Sequence, residues 1–156
     1  GISSLGKFVS LMNERARDLG FLEFSFASPH GLDLDFDSNR VPGASGSAFE
    51  IGKLFEYIFI NHPDIIEKTR VSNFLVSSDN GRSIEAQNTN KAFGLIPQLI
   101  GAKTGFTDLA GGNLVFIFDA GFSHPVLISI LGSSEKGRFE DAEKIVAAVL
   151  KYFSSL

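Results

Sequence analysis

The sequence has 156 residues, of which 14 are Lys or Arg and 18 are Asp or Glu, so its net charge at pH 7 is -4. A domain that binds the phosphate backbone of a nucleic acid needs a clustered basic surface. The basic residues are scattered in this sequence, so nucleic-acid binding is excluded. The length and the 44% hydrophobic content predict one domain, residues 1–156, with a sizeable core. Since the chain has no cysteine, disulfides and thiolate metal sites are excluded.

The N-terminal part predicts a helix, a short extended segment and a long loop. Apolar residues spaced three and four apart predict a helix over residues 5–19, which Gly20 would end. Phe24 and Phe26 alternate with polar residues and predict a short extended segment. Residues 28–46 are rich in Asp, Gly, Ser and Pro, and this composition predicts a loop.

A second helix is predicted to begin at Ser47. Ser47 and Glu50 have the spacing of a capping box, in which the serine side chain binds a free backbone N–H of the first turn. The apolar residues that follow recur on one helical face, and His62 followed by Pro63 indicates the end of the helix. A brief helical turn is expected over residues 64–68.

The second half of the chain predicts antiparallel strands and a last helix. Asn80-Gly81 lies between two extended runs, residues 71–77 and 83–87, and is a strong hairpin signal. Three more extended segments, separated by glycine-containing turns, predict an antiparallel meander: residues 98–104, 113–119 and 125–131. A helix over residues 138–153 follows. The fold class is therefore predicted to be α+β, an antiparallel sheet packed by helices.

Metal sites are not expected. The acidic run from Asp33 to Asp37 resembles a calcium loop, but Ser38 and Ala44 stand where such a loop needs Gly and Glu. The three histidines lie in separate loops without the spacing of a zinc site. His30 is expected to brace its own loop. The sequence thus predicts neither a metal nor a cofactor.

The triplet Lys103-Thr104-Gly105 is the most informative short motif. It lies at the end of a predicted strand, where an ammonium and a hydroxyl could project from a sheet edge toward a ligand carboxylate. The glycine would let another backbone approach closely. On its own, the triplet equally fits a plain strand end followed by a turn.

Five ordered segments around this triplet resemble the low-molecular-mass penicillin-binding proteins, which are serine-type D-Ala-D-Ala carboxypeptidases. They are Phe8-Val9-Ser10-Leu11-Met12-Asn13, Pro29-His30-Gly31-Leu32-Asp33, Asn88-Thr89-Asn90, Gly101 to Gly112, and Arg138-Phe139-Glu140-Asp141-Ala142. The resemblance covers residues 8–153. It implies a β-lactamase/transpeptidase-like fold and a hydrolase that acts on peptidoglycan stem peptides by acyl transfer.

The resemblance also implies roles for particular residues. Lys103, Thr104 and Gly105 would bind the D-Ala-D-Ala stem peptide, with Lys103 and Thr104 holding its terminal carboxylate. The strand over residues 98–106 would pair with the extended peptide by β-augmentation. The backbone N–H of Phe106 would be one oxyanion-hole donor, so Lys103 and Phe106 are the implied catalytic residues. β-Lactams would occupy the same site.

The serine nucleophile of the family is expected to be absent from this chain. In the family, the Ser-x-x-Lys and Ser-x-Asn motifs precede the segment that begins here at Phe8. Three strings match these motifs in the wrong place: Ser4 to Lys7, Ser78-Asp79-Asn80, and Ser133 to Lys136. Since the chain also begins at Gly1 rather than Met, we expect the C-terminal portion of a catalytic domain, unable to form an acyl-enzyme alone. Whether this chain is by itself an enzyme stays open.

Partners and location follow from the same resemblance. The last strand, residues 125–131, would have an unpaired apolar edge, which is expected to associate with the missing N-terminal half or with a second copy. Peptidoglycan lies outside the cytoplasmic membrane, so an exported protein, periplasmic or at the outer membrane face, is expected. Two alternatives remain: a non-catalytic module that binds peptidoglycan peptides or penicillin-like ligands, and a structural domain with an accidental triplet.

Overall fold

The computed structural model describes residues 3–37 and 39–155, a mixture of helices and antiparallel strands. The helices are α1 (Ser4–Asp18), α2 (Ala48–Asn61), α3 (Pro63–Glu67) and α4 (Gly137–Phe153), and the 3-10 turn Lys68–Arg70 follows α3. The strands are β1 (Ser25–Phe26), β2 (Leu34–Phe36), β3 (Asn39–Val41), β4 (Ala44–Ser45), β5 (Asn73–Ser77), β6 (Ser83–Gln87), β7 (Leu99–Thr107), β8 (Gly111–Asp119) and β9 (Pro125–Ser133). The predicted α+β class is confirmed.

The largest sheet is an antiparallel meander in the order β7-β8-β9, as the sequence predicts. Strand β8 is central and almost entirely buried. Within the described residues, β7 and β9 each have one edge without a strand partner.

Alternate residues of β8 enter two separate apolar cores, one on each face of the sheet. This follows from the period of two in a strand, which sends successive side chains to opposite faces. Toward α4, the buried core contains Leu114, Phe116, Phe118, Phe139, Ala142 and Val146. Toward α2 and α3, it contains Val115, Ile117, Phe55 and Ile66. The sheet is therefore the middle layer between helices.

The two N-terminal helices begin and end close to where the sequence predicts. Helix α1 is capped at its C-terminus by Leu19 and followed by Gly20, whose φ of 81° favours glycine. The Ser47 hydroxyl accepts a hydrogen bond from the Glu50 N–H at 3.2 Å, as a capping box requires. Helix α2 ends before Pro63, the first residue of α3.

Residues 28–46 are not a plain loop, contrary to the prediction. Strands β2 and β3 form a hairpin there, and β4 pairs with β1. An ion pair joins the hairpin strands, since Arg40 Nε lies 3.1 Å from Asp35 Oδ1. Strands of two or three residues are too short to show alternation, so their partners could not be recognised from the sequence.

The predicted Asn-Gly hairpin is also present. Strands β5 and β6 pair in register, and the turn between them contains Ser78-Asp79-Asn80. The Ser78 hydroxyl donates to Asn80 Oδ1 at 2.5 Å, as polar turn residues commonly do. Among the described helices, none is long and apolar enough to cross a bilayer.

Candidate functional site

A mostly apolar pocket of about 530 Å³ opens beside β7 and contains the predicted triplet. Strands β1 and β4, the start of α2 and the ends of β8 and β9 form its other walls. Its large apolar side chains include Phe24, Phe26, Ile51, Val115 and Leu131. Lys103 is the one ionisable side chain among the lining residues that the structure describes. The pocket thus combines apolar walls with a single positive charge.

Lys103 and Thr104 leave β7 on opposite faces of the sheet. Lys103 pairs with Val115, whose side chain faces α2, and Thr104 pairs with Leu114, whose side chain faces α4. The Thr104 hydroxyl lies 2.7 Å from the Thr89 hydroxyl. The ammonium and the hydroxyl therefore reach the same edge of the sheet from its two sides.

The Lys103 ammonium has no carboxylate partner within residues 3–37 and 39–155. Its Nζ donates a hydrogen bond to the carbonyl of Thr104, and the ion pairs of the described residues do not include it. Desolvation beside the pocket wall lowers the pKa of Lys103, and the nearby positive charge of Arg138 lowers it further. An unpaired, partly desolvated ammonium is suited to binding an anionic group.

The free edge of β7 presents backbone N–H groups beside the triplet. The Ala102 N–H points away from β8 and donates to Thr69 Oγ1 at 3.1 Å. Since N–H groups alternate along a strand, those of Thr104 and Phe106 point to the same side. The half-exposed Phe106 thus directs its N–H toward the open edge, where an extended peptide could pair.

The space beside Gly105 is open. A Cβ atom built on Gly105 would meet only the Asn113 Cβ, at 3.8 Å, which is ordinary contact. The fold itself therefore does not require glycine here. That this glycine lets a ligand backbone approach β7 remains a prediction from the sequence.

Polar side chains hold β7 in place from the loop before it and the turn after it. The Asn88 side chain donates to the carbonyls of Thr69 and Val71, each at 3.1 Å. Beyond the strand, Arg40 Nη1 lies 2.6 Å from Asp108 Oδ2 and ties the β7–β8 turn to the β2–β3 hairpin. Through Thr69, whose hydroxyl accepts the Ala102 N–H, and through Asp108 in the turn after the strand, these contacts link β7 to the segments around it.

Arg138 is a site residue that the sequence interpretation used only as part of a matching segment. It is buried, and its Nη1 donates to the carbonyl of Gly105. The contact joins residues 33 positions apart, so no local pattern reveals it. In the sequence, Arg138 stands out only as an arginine in the first turn of a helix whose other inward-facing residues are apolar.

The serines of the three misplaced motifs do not line the pocket. Ser133 donates to Asp141 Oδ2 at 2.8 Å, Ser78 lies in the β5–β6 turn, and Ser4 begins α1. His30 braces its own loop, as expected, because its Nδ1 accepts the Leu32 N–H at 3.1 Å. No cluster of three potential metal ligands occurs within residues 3–37 and 39–155.

A comparison with protein families and curated proteins gives consistent matches. The model of a family described as D-alanyl-D-alanine carboxypeptidase matches residues 3–133. The D-alanyl-D-alanine carboxypeptidase DacD of Salmonella typhimurium is 28% identical over 144 residues, 90% of this chain and 33% of that protein. DacC of Escherichia coli is 26% identical over 153 residues, 96% of this chain and 34% of that protein. The chain thus spans about a third of the length of the curated relatives that it matches.

Solved structures show the same fold. A penicillin-binding protein of Listeria monocytogenes in its cefotaxime-bound form is 30% identical, with a TM-score of 0.74, over 92% of this chain and 54% of that chain. A D-alanyl-D-alanine carboxypeptidase of Mycobacterium tuberculosis has a TM-score of 0.67 at 21% identity, over 88% of this chain and 52% of that chain.

Proposed function

Because the chain belongs to the D-alanyl-D-alanine carboxypeptidase family and has the β-lactamase-like fold of penicillin-binding proteins, we propose that it supplies the substrate-binding edge of a serine-type D-Ala-D-Ala carboxypeptidase acting on peptidoglycan stem peptides. One observation carries this proposal. The unpaired Lys103 ammonium and the outward N–H groups of Thr104 and Phe106 lie together on an open strand edge beside an apolar pocket.

The chemistry of this edge suits a peptide that ends in D-Ala-D-Ala. The ammonium of Lys103 and the hydroxyl of Thr104 bind the two oxygens of the terminal carboxylate from the two sides of β7. The peptide backbone pairs with the free edge of β7, and Gly105 leaves room for it. The Phe106 N–H donates to the carbonyl oxygen as it becomes negatively charged, a contact worth about 10²–10³ in rate. β-Lactams, which also carry a carboxylate, use the same groups.

We propose further that residues 1–156 are the C-terminal portion of the catalytic domain and that the nucleophile lies in another part of the protein. The order of the motifs supports this, since in the family the serine motifs precede the segment that Phe8 begins. The unpaired edge of β9 is the proposed contact with that part, or with a second copy. Because peptidoglycan is the substrate, the protein acts in the periplasm or at the outer face of the cytoplasmic membrane.

A titration tests the binding proposal. Acetyl-D-Ala-D-Ala, which ends in a carboxylate, is added to the chain, and the peptide amide serves as its neutral analogue. We expect the carboxylate form to bind at least about tenfold more tightly, and Lys103→Ala to remove this difference, since one charge-assisted hydrogen bond is worth about 1.5–3 kcal/mol. Lys151→Ala, at an exposed position near the end of α4, is the matched control. Equal affinity of Lys103→Ala and the unaltered chain would refute the assignment.

The nucleophile proposal has a separate test. The chain alone is incubated with a labelled penicillin, and the mass of the intact protein is measured by mass spectrometry. We expect no covalent adduct. A stoichiometric adduct on Ser4, or on any other serine, would refute the proposal. A non-catalytic binding module would give the same result with this chain, so the full-length protein distinguishes the two functions: only the carboxypeptidase releases D-Ala from the peptide.

A further inference from the structure

The hairpin of β5 and β6 has one apolar face that the described part of the chain leaves uncovered. Phe74 pairs with Ala86 and Val76 pairs with Ile84, so these four side chains share one face of the two-stranded ribbon. Phe74, Val76 and Ile84 are 42%, 46% and 69% exposed. None of the other described helices or strands approaches β5 or β6 closely. Since an isolated two-stranded hairpin is only marginally stable in water, an exposed apolar face of this kind indicates a contact surface.

The opposite face of the hairpin has a different composition. It carries Leu75 and five polar residues, which are Asn73, Ser77, Ser83, Glu85 and Gln87. The hydroxyls of Ser77 and Ser83 lie 3.0 Å apart on this face. The hairpin therefore has the two-sided composition of a ribbon that is solvated on one face and contacts a partner with the other.

The base of this hairpin lies at the candidate site. Before the first strand, the Thr69 hydroxyl accepts the Ala102 N–H on the free edge of β7 at 3.1 Å. After the second strand, the Thr89 hydroxyl lies 2.7 Å from the Thr104 hydroxyl. Each strand of the hairpin has five residues, a length of about 17 Å. The hairpin is therefore within reach of a ligand that is bound at β7 and extends beyond it.

The connection between α3 and β7, residues 68–98, is basic, although the chain as a whole is acidic. It contains four basic and two acidic residues, a net charge of +2, whereas the net charge of the whole chain is -4. The basic residues are Lys68, Arg70, Arg82 and Lys91, and all four are exposed. None of them forms an ion pair within residues 3–37 and 39–155. Unpaired cations beside an apolar face are complementary to a ligand that combines carboxylates with apolar surface.

We propose that the β5–β6 hairpin is a second binding surface, which contacts the glycan strand of polymeric peptidoglycan with its apolar face and the carboxylates of neighbouring stem peptides with the basic residues around it. This inference rests on the function proposed above and concerns the part of the substrate beyond D-Ala-D-Ala. The C–H groups of a sugar ring pack against the faces of aromatic and aliphatic side chains such as Phe74 and Ile84. Because a stem peptide bound at β7 is attached to a glycan strand, contacts at the two surfaces reinforce each other. The hairpin thus makes the site prefer the polymer to a free peptide.

The test measures binding of the chain to purified, insoluble peptidoglycan by co-sedimentation and to acetyl-D-Ala-D-Ala by titration. Ile84→Ser changes the apolar face, and Leu75→Ser is the matched control, because Leu75 is 68% exposed on the opposite face. We expect Ile84→Ser to weaken peptidoglycan binding by at least about threefold and to leave the affinity for acetyl-D-Ala-D-Ala unchanged. Leu75→Ser should change neither. Arg82→Gln should weaken peptidoglycan binding and reduce its dependence on salt concentration.

Other occupants of the apolar face predict different results. Equal peptidoglycan binding by Ile84→Ser and the unaltered chain would overturn the inference, and so would the absence of any binding to peptidoglycan. Binding to phosphatidylglycerol vesicles that Ile84→Ser abolishes would overturn it in favour of a lipid surface. Self-association that Ile84→Ser abolishes would overturn it in favour of a second copy of the chain.

If Ile84→Ser disrupts the hairpin, amide NMR of the unaltered chain decides. A soluble disaccharide-peptide should shift the N–H groups of β5 and β6, whereas acetyl-D-Ala-D-Ala should not, and shifts confined to β7 with both ligands would overturn the inference. The proposed function fails separately. Peptidoglycan binding that depends on Ile84, without any affinity for acetyl-D-Ala-D-Ala, would refute that function and support the hairpin contact. Peptide binding at β7 with no contribution from the hairpin to polymer binding would refute only the hairpin contact.

Discussion

Lys103 is the residue on which the chemistry of the candidate site depends. It lines an apolar pocket and has no ion-pair partner among the described residues. Desolvation and Arg138 both disfavour its charged form, in that order of size. A carboxylate ligand relieves both effects, because it replaces lost water contacts and offsets the positive charge. Ligand binding and the protonation of Lys103 are therefore coupled.

This coupling predicts a pH dependence of binding. A carboxylate ligand binds the ammonium form, so its affinity should be full at neutral pH and fall as the pH rises through the lowered pKa of Lys103. The fall begins below 10.5, the ordinary value of a lysine. The free energy of unfolding changes with pH in the opposite direction. Between the lowered pKa and 10.5 the unfolded chain binds more protons than the folded chain, so the contribution of Lys103 to stability rises with pH. Peptide titrations from neutral to alkaline pH check the prediction, and an affinity that is flat until above 10.5 contradicts it.

Gly105 gives a second prediction at this scale. Gly105→Ala should change the free energy of unfolding by less than about 0.5 kcal/mol, because its Cβ would have open space. It should nevertheless weaken peptide binding, since the methyl group occupies the path of the ligand backbone. Gly101→Ala is the matched control on β7: its Cβ would overlap Ile66 Cγ2, so it should destabilise the fold by about 1–3 kcal/mol. Undiminished binding by Gly105→Ala would contradict the edge-pairing account.

The triplet residues could be predicted from the sequence because they are contiguous and belong to a recognisable motif. Arg138 could not, because its role depends on a contact with Gly105 across 33 residues. That contact exists only because α4 packs against the face of the sheet that carries Leu114 and Phe116. Chemistry that depends on such packing becomes visible only in the folded structure.

At the level of whole elements, Glu50 links the start of α2 to the segment after α1. Its carboxylate is buried and accepts the N–H of Leu22 at 2.7 Å and that of Glu23 at 2.9 Å. The capping box thus has only its serine half, while the glutamate secures a different segment. Because β1 and Phe24 follow this segment and form a wall of the pocket, Glu50 also positions that wall.

Glu50→Gln should destabilise the fold by about 1–3 kcal/mol. The amide removes the negative charge that strengthens the bonds to the Leu22 and Glu23 N–H groups, and its NH2 group would face the Glu23 N–H where Oε2 now accepts at 2.9 Å. Glu56→Gln on the same helix removes an exposed ion pair with Lys53 and should cost less than about 1 kcal/mol. Urea denaturation of the two variants measures the difference. Equal losses would show that the Glu50 contacts contribute little.

The long elements could be predicted because their patterns are local and periodic. Helices α1, α2 and α4 repeat apolar residues at helical spacing, and glycines mark the start of β8 and the turn between β8 and β9. The β1–β4 and β2–β3 pairs were missed because their strands have two or three residues each. Their pairing depends on tertiary contacts such as that of Arg40 with Asp108, which no periodic pattern contains.

The molecule as a whole has a three-stranded sheet between two layers of helices and two free sheet edges in its described part. The edge of β7 carries the candidate site, and the edge of β9 has no assigned chemistry. An apolar strand edge tends to recruit another strand. We therefore expect β9 to be the surface at which this chain associates with another part of the protein or with itself.

Sedimentation velocity over a range of concentrations tests this expectation. The unaltered chain should associate as its concentration rises. Leu131→Lys, at the 41% exposed end of β9 that also borders the pocket, should weaken association through charge on that strand. Leu75→Lys makes the same change at a 68% exposed position of the β5–β6 hairpin and should have no effect. A chain that stays monomeric at every concentration would contradict self-association through β9.

The central claim is that β7 binds the carboxylate end of a D-Ala-D-Ala peptide. Backbone amide chemical shifts, measured by NMR during a peptide titration, test it most directly. The account predicts that the largest shifts occur at the N–H groups of Thr104 and Phe106, together with a shift of the Lys103 side chain, and that Lys103→Ala abolishes them. Shifts concentrated on the β5–β6 hairpin or on β9, or a response that Lys103→Ala leaves intact, would contradict it.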